Sequence, residues 1–263
     1  EMLRSLVGSE MCIRDRFLIV QLPQWINGKT AADGNDPMRW PVLREAQWDA
    51  AQSIDNVYAI CTIDCGEYDN IHPLDKRTPG ERLANCALRQ IYGMDRVPVH
   101  GPTVLGFRCD PNGRVRLFFR YAHGLHFEGT TPGGGDDFDG QLPTLVRVPE
   151  RSGFELAGSD GMFHPATAAI FVDCDIDDLV NSRVNVVDYN ATEFGIPINS
   201  RSIGTITLAT PDVPEPVAMR YAWRSWGPAP LFNDDGLPAQ PFRLDLTDHT
   251  APVEPVEPDG TAD

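Results

Sequence analysis

An acid and a histidine three residues apart, Asp69 and His72, are the residues best placed to do chemistry in this sequence. An acid in this position can orient the imidazole and leave its far nitrogen free to act as a base. Together they would form the acid–base half of a hydrolase triad, whose third member is a nucleophile. The spacing alone is weak evidence, because a loop histidine often has a nearby acid for structural reasons. The pair gains weight only from the elements that surround it.

Two apolar runs, with a helical pattern between them, precede the Asp69–His72 segment. Residues 17–22 and 57–63 each predict a strand buried on both faces of a parallel sheet. Residues 40–53 predict the connecting helix, with Pro41 tolerated in the first turn. One side of that helix carries Trp40, Leu43, Gln47, Ala50 and Ala51. Ligands bind beyond the carboxyl ends of parallel strands, so the Asp69–His72 loop lies where such sheets place their sites.

A second helix is predicted directly after the loop. Thr78 fits its N-cap, Pro79 its first position and Glu81 the capping-box partner, and Gly93 ends it. Strand, helix, strand, loop and helix are typical of the end of a doubly wound α/β domain. Two strands are too few for a complete parallel sheet. Residues 17–97 are therefore predicted to be part of an α/β domain.

A β-rich region is predicted over residues 98–246, because short β-type runs bounded by Gly, Pro and Asp replace the helical pattern there. The runs are 103–108, 114–121, 153–157, 167–172, 183–189, 203–209 and 217–223. This pattern is typical of a β-sandwich or a jelly-roll-like domain. The segment 129–140 has a Gly run, but it lacks the Lys-Ser/Thr and the helix of a phosphate loop, which predicts a surface loop.

The two ends of the sequence differ from the rest. Residues 1–16 resemble a translated sequencing-adapter artefact, which would belong to no fold. A genuine amphipathic segment is the alternative. On the first interpretation the original N-terminal part, with any signal peptide, is absent from this sequence. Residues 247–263 are rich in Pro and acids and predict a disordered tail.

Composition excludes some partners. The net charge of −16 argues against a nucleic-acid partner, because phosphate binding needs a basic surface. No run of 18 apolar residues occurs, so no membrane span is predicted. The hydrophobic share of 41% and the charged share of 23% are typical of a globular protein. The oligomeric state stays open.

The metal-binding residue types do not form a recognisable metal site. Cys61 and Cys65 have no second pair at the spacing of a zinc site. His123 and His126 lack the Glu of a zinc hydrolase, which favours a solvated or hydrogen-bonded pair. The acidic run 173–178 lacks the Gly and the distal Glu of a calcium loop. No metal is therefore predicted.

Six cysteines are present: Cys12, Cys61, Cys65, Cys86, Cys109 and Cys174. Cys61 and Cys86 lie within apolar patterns and are interpreted as buried hydrophobic residues. A disulfide is compatible with the composition, but its pairing is not fixed by the sequence.

Six segments, in their order along the chain, resemble segments of one protein family. They are VQLP at 20–23, WPVLREAQ at 40–47, TIDCGEYDNIHPLDKRTPGERLA at 62–84, GFELAGSDGMFHPATAAI at 153–170, VAMRYAW at 217–223 and LFNDDGLPAQPFR at 231–243. Together they resemble the sialate O-acetylesterase family, bacterial 9-O-acetylesterase-like carbohydrate esterases of the SGNH hydrolase superfamily. The resemblance implies the C-terminal part of a flavodoxin-like (SGNH) α/β/α domain, followed by a β-sandwich or jelly-roll-like domain.

The resemblance also implies an activity, the removal of acetyl groups from an O-acetylated sugar or glycan by a serine esterase without a cofactor. His72 would be the general base that activates the serine, and Asp69 would hold its tautomer. Relatives carry an acid two residues before the histidine, where this chain has Asn70, so another acid is the alternative to Asp69. Gln21, at the end of its strand, would face the substrate, or would only bind neighbouring backbone.

The family's nucleophile stands in a Gly-Gln-Ser-Asn segment, which this sequence does not contain. Ser5 and Ser9 are the only serines before Ser53, and neither lies in a strand-to-helix elbow. The chain as given is therefore predicted to be inactive. Export to the periplasm or outside the cell is expected from the resemblance. Two alternatives stay open: a non-catalytic carbohydrate-binding β module with an α/β remnant, and a hydrolase of another ester class.

Overall fold

The computed structural model describes residues 15–28, 36, 39–128, 145–171, 185–186 and 203–247. Several predictions fall on residues outside these ranges: the leader over 1–14, the Gly-rich loop 129–140, the acidic run 173–178, the tail from 248 onward, and Ser5, Ser9, Cys12 and Cys174.

A small parallel α/β part contains the first two strands and two helices. Strand β1 (Phe17–Val20) pairs in parallel with β2 (Val57–Ile60) along their full length. Helix α1 (Arg39–Ser53) leads into β2, which confirms the predicted strand–helix–strand order. Helix α1 buries Pro41 and Arg44, whereas Leu43 of the predicted apolar side is 48% exposed. The buried face of α1 is therefore centred on an arginine.

Helix α2 (Arg77–Gln90) follows the Asp69–His72 loop, as predicted. Its N-terminal cap differs from the prediction. The Asp75 carboxylate accepts hydrogen bonds from the backbone N–H groups of Arg77 at 2.9 Å and Thr78 at 3.1 Å. Glu81 pairs with the Arg77 side chain at 2.7 Å, one turn along the helix. The predicted capping box of Thr78 and Glu81 is thus wrong, because Asp75, three residues before Thr78, satisfies the first free N–H groups.

Two antiparallel sheets make up the β-rich region. The larger has the strand order β10–β3–β4–β11–β9–β6, and the smaller has the order β14–β12–β7–β8. The larger contains β3 (Thr103–Cys109), β4 (Val115–Arg120), β6 (Leu145–Val146), β9 (Thr167–Phe171), β10 (Asn185–Val186) and β11 (Gly204–Ala209). The smaller contains β7 (Phe154–Ala157), β8 (Phe163–Pro165), β12 (Ala218–Tyr221) and β14 (Phe242–Asp245). A two-stranded ribbon pairs β5 (His126–Phe127) with β13 (Leu231–Phe232).

All seven β-type runs predicted from the sequence contain a strand. The strands that were not predicted are β5, β6, β8, β13 and β14. Four of these have only two or three residues, too few for a usable apolar alternation, and β14 follows a segment that contains Pro238 and Pro241. Such short strands form because a neighbouring strand offers hydrogen bonds, so pairing and not local pattern decides them.

The two sheets share one hydrophobic core, so they pack face to face. Leu117, Phe119 and Ile206 of the larger sheet are fully buried against Phe154 and Tyr221 of the smaller. The fold is therefore mostly β, with a small α/β part, as the sequence predicted. The flavodoxin-like (SGNH) and jelly-roll-like assignments stay predictions.

Side-chain contacts join the α/β part to the β-rich region. The Glu45 carboxylate of α1 binds the Arg243 guanidinium of β14 through two hydrogen bonds of 2.8 Å. Arg82 of α2 binds the Asp64 carboxylate at 2.6 and 2.7 Å and also donates to the Gly236 carbonyl at 3.3 Å. The boundary between residues 17–97 and 98–246 is crossed by these contacts, and the division into separate domains stays a prediction.

Candidate active site

The Asp69–His72 loop lies beyond the carboxyl end of β2, between a short 3-10 helix (Ile63–Cys65) and α2. The Glu67 carboxylate holds the loop, because it accepts hydrogen bonds from the Leu74 backbone N–H at 2.5 Å and from Asn70 Nδ2 at 2.7 Å. These hydrogen bonds lower the pKa of Glu67, with the backbone N–H of Leu74 contributing most. The loop therefore has its own internal framework, centred on Glu67.

Asp69 anchors this loop to the chain segment that follows β1. Its backbone has a φ of +56°, a conformation that Asp and Asn tolerate better than most residues. Its N–H donates to the Ile26 carbonyl at 3.0 Å, and its Oδ1 accepts from the backbone N–H of Gly28 at 2.6 Å. Nearby, a side chain at Gly66 would collide with the Gln24 backbone oxygen, at 1.9 Å from the Cβ position. The two segments thus pack backbone against backbone.

His72 is exposed at the surface of the same loop. Its backbone N–H donates to Asn70 Oδ1 at 3.1 Å. Among the described residues, no hydrogen bond joins the His72 ring to Asp69, whose carboxylate is instead bound to Gly28. The structure thus places the two predicted residues in one loop without bringing their side chains together. Their catalytic roles stay predictions.

Gln21, the predicted substrate-binding residue, is fully buried. Its Nε2 donates to the Arg44 carbonyl at 3.0 Å, and its own carbonyl accepts from the Thr62 hydroxyl. Leu22, the next residue, donates its N–H to Gln47 Oε1 at 2.9 Å. These contacts match the alternative interpretation, in which Gln21 binds neighbouring backbone at the end of β1.

Arg44 is the organising residue that the sequence reasoning did not single out. Its fully buried guanidinium donates to four backbone carbonyls. Two of them, those of Leu22 and Pro23, follow β1 and lie at 2.9 Å each. The other two, those of Arg224 and Ser225, belong to the β-rich region and lie at 2.8 and 3.2 Å.

Burial changes the pKa of Arg44, and the position of Arg44 in the sequence indicates that it is buried. Desolvation lowers the pKa of Arg44 to about 10, and the nearby Asp36 carboxylate and Cys61 oppose this shift. Arg44 follows Trp40 by four residues, so the two side chains share one face of the helix, and Trp40 belongs to the side that the sequence predicts to be apolar. A charged residue in such a place indicates a buried hydrogen-bonding role.

A second loop, residues 222–228, also contacts the site. The backbone N–H of Trp25 donates to the Ser225 carbonyl at 3.0 Å. The rings of Tyr68 and Trp226 meet edge to face with centroids 5.6 Å apart. Since Tyr68 directly precedes Asp69, three chain segments converge here: residues 21–28, the Asp69–His72 loop and the 222–228 loop.

His123 and His126 are solvated or hydrogen-bonded, as the sequence predicted. His123 is exposed and its Nδ1 lies 3.1 Å from the Asp234 carboxylate, whereas His126 is buried and its Nδ1 lies 2.8 Å from the Gly124 carbonyl. Among the described residues, no group of three His, Cys, Asp or Glu side chains could hold a metal ion. Within the same ranges, no helix is long and apolar enough to span a membrane.

The four described cysteines are free thiols. Cys86 is buried, as predicted, and Cys61 is partly buried against the core. Desolvation raises the pKa of Cys61 and of Cys65 to about 12, with the Asp64 carboxylate adding to the shift. Both thiols therefore stay protonated at neutral pH, which makes them poor nucleophiles.

Comparison with solved structures finds a similar fold in a carbohydrate acetylesterase from Xanthomonas citri. The two chains are 29% identical, with a TM-score of 0.58. The match covers 88% of this chain and 41% of the esterase. This chain thus spans less than half the length of the esterase that it matches. No protein-family model matches the chain, and no curated protein matches it either.

Proposed function

We propose that this chain is part of a carbohydrate O-acetylesterase. The observation that carries the proposal is the similarity to a carbohydrate acetylesterase over 88% of the chain at 29% identity. The position of the Asp69–His72 loop beyond the carboxyl end of β2 supports it, because α/β sheets place their ligands at that edge. The enzyme is sialate 9-O-acetylesterase-like, of the SGNH type, and acts on an O-acetylated sugar or glycan.

The proposed mechanism is that of a serine esterase with His72 as the general base. The serine hydroxyl attacks the carbonyl carbon of the acetyl ester and gives its proton to His72. The C–O bond to the sugar then breaks, and the sugar oxygen takes that proton as it leaves. Water, deprotonated by His72, then attacks the acetyl-serine; the acyl C–O bond to serine breaks, acetate leaves, and His72 returns the proton to the serine oxygen. The exposed imidazole of His72 is accessible for both proton transfers.

Asp69 is the proposed acid of the triad, with the role of holding the His72 tautomer and stabilising the imidazolium. In the described structure its carboxylate is bound to Gly28, so it would have to leave that hydrogen bond to reach His72. An exposed side chain held by one such bond can turn without disturbing the core. The serine itself is supplied by sequence that this chain does not contain, and export to the periplasm or beyond is part of the same proposal.

The test uses the protein translated from the complete reading frame that contains residues 17–247. Acetate release is measured from O-acetylated sialic acid and from acetylated xylo-oligosaccharides. His72→Ala is expected to lower kcat by about 10³-fold or more, because the serine loses its base. His123→Ala is the matched control, because it removes an exposed histidine that already pairs with Asp234 outside the loop.

Equal activity of the wild-type protein and His72→Ala would exclude the catalytic role of His72. Cell fractionation tests the location, and recovery of the protein only from the cytoplasm would contradict export. The absence of a hydrogen bond between Asp69 and the His72 ring among the described residues favours one other candidate, a non-catalytic carbohydrate-binding β module. That candidate predicts sugar binding without acetate release from the complete protein.

A further inference from the structure

A cleft of about 370 Å³, here called the α1 cleft, lies between α1 and the β-rich region. One wall is formed by Glu45, Trp48, Asp49 and Gln52, which share one face of α1 because they are three or four positions apart. The opposite wall includes residues of β3 and β14 and the segment before β14. Its size falls in the range of about 300–1,000 Å³ that small-molecule sites occupy. None of its lining residues belongs to the Asp69–His72 loop.

The α1 cleft is lined by a buried polar group without a partner. Gln240 is only 8% exposed, and its Oε1 has no hydrogen-bond partner among the described residues. A buried acceptor without a donor is unfavourable. Because the exposed area of this oxygen is below 1 Å², a ligand in the open cleft does not reach it in the described arrangement of the side chain. Gln240 also borders an enclosed cavity of about 10 Å³, which has room for about one water. The α1 cleft is the larger of the two spaces that this side chain borders.

The charges around the α1 cleft favour a neutral ligand. The Glu45 carboxylate is paired with the Arg243 guanidinium through two hydrogen bonds of 2.8 Å, so neither charge is left uncompensated. The Arg243 guanidinium also lies over the Trp223 ring, 5.2 Å from its centroid. Partial burial and the nearby Glu45 raise the pKa of Asp49. Arg120 also lines the cleft, so its lining contains two acids and two arginines and has no net formal charge.

We propose that the α1 cleft binds a neutral sugar ring. A sugar ring has an apolar C–H face, which fits an aromatic surface, and a rim of hydroxyl groups, which donate and accept hydrogen bonds. Trp48 supplies the aromatic surface. The Asp49 carboxylate and the Gln52 amide, which are both exposed, supply the hydrogen-bonding groups for the hydroxyls. This site is separate from the Asp69–His72 loop and does not depend on the proposed esterase activity.

The test is calorimetric titration of the 263-residue chain with xylotriose, with cellotriose and, as a charged comparison, with N-acetylneuraminic acid. At least one neutral saccharide is expected to bind with a measurable enthalpy. Trp48→Ala and Gln52→Ala are expected to weaken that binding by about tenfold each, or 1.4 kcal/mol. Tyr92→Ala is the matched control, because Tyr92 is 74% exposed and does not line the cleft. Thermal unfolding of each variant verifies that it is folded.

The proposal would be overturned by no binding of either neutral saccharide at millimolar concentration, by unchanged affinity in both cleft variants, or by preferred binding of N-acetylneuraminic acid. A second cleft of about 230 Å³ is lined by Trp226, and Trp226→Ala distinguishes the two locations. Loss of binding in Trp226→Ala but not in Trp48→Ala would move the ligand to that cleft and contradict the proposal. Since the readout is binding, a failed esterase assay has no bearing on it.

Discussion

The carboxylate of Asp69 accepts a hydrogen bond from the backbone N–H of Gly28, with 2.6 Å between Oδ1 and the nitrogen. These residues are 41 positions apart in the chain. The bond joins the predicted catalytic loop to the segment after β1. The side chain that makes it, Asp69, is the acid that the sequence predicts as the partner of His72. Asp69 can therefore have two roles, as a structural anchor and as a catalytic acid, and substitutions can separate them.

Asp69→Asn is expected to leave the stability of the chain within about 1 kcal/mol of the wild type, because asparagine tolerates positive φ and its Oδ1 can accept from Gly28. Asp69→Val is expected to cost about 2 kcal/mol, because a β-branched residue is strained at a φ of +56° and accepts no hydrogen bond. Urea unfolding measures both. In the complete protein, Asp69→Asn should lower kcat by about 10⁴-fold if Asp69 is the triad acid. Full activity of Asp69→Asn would show that Asp69 has only the structural role of anchoring the loop.

Arg44→Met is expected to destabilise the chain by more than about 3 kcal/mol, because four backbone carbonyls lose a charged donor at once. The loss of stability in Arg44→Lys should lie between that of Arg44→Met and zero. A lysine ammonium lacks the planar fork of the guanidinium and cannot donate to all four carbonyls at once. Urea unfolding gives the free energies. Arg39→Met is the matched control, as it makes the same change at an exposed position of the same helix. Equal losses for the two methionine variants would mean that the Arg44 contacts contribute nothing to stability.

Asp75→Ala is expected to lower the midpoint of thermal unfolding more than Thr78→Ala does. The Asp75 carboxylate satisfies two backbone N–H groups at the start of α2, at 2.9 and 3.1 Å, whereas Thr78 lies inside the helix. Circular dichroism at the same protein concentration compares the two variants. A larger effect of Thr78→Ala would restore the capping box that the sequence predicted.

His100 is expected to make the chain less stable in mild acid. Burial, with smaller contributions from Arg89 and Arg120, lowers the pKa of His100 from its ordinary value of 6.5 to about 4. Below pH 6.5 the unfolded chain binds a proton that the folded chain refuses, so stability falls as the pH falls from 6.5 to about 4. The full effect of His100 is at most about 3 kcal/mol.

Urea unfolding at several pH values from 4 to 7 measures this dependence. His100→Gln is expected to reduce the slope, because glutamine does not titrate. His123→Gln should keep it, because His123 is 74% exposed. An unchanged slope in His100→Gln would assign the acid sensitivity to other groups.

Local patterns in the sequence were sufficient for the helices and most strands. The apolar runs 17–22 and 57–63 contain the parallel pair β1 and β2, but the prediction of burial on both faces is wrong for β1, where Phe17 and Val20 are exposed. Each of the seven β-type runs contains a strand. This worked because a strand or helix that buries one face needs a regular apolar spacing, and such spacing is visible over a few residues. The cap of α2 is also local, but two patterns compete for it: Thr78 and Glu81 match a capping box, whereas Asp75 makes the hydrogen bonds.

The sequence by itself determined the two-part character of this protein and the position of the Asp69–His72 loop after a buried strand. Only the tertiary structure decided which distant groups the side chains around this loop contact. Arg44 meets the carbonyls of Arg224 and Ser225 across about 180 positions, and Asp69 meets Gly28 across 41. Such contacts depend on how distant segments close on each other, and a hydrogen-bonding side chain carries no mark of its distant partner. The spacing of Asp69 and His72 therefore predicted a pair, whereas the packing around Gly28 gave the Asp69 carboxylate its hydrogen-bond partner.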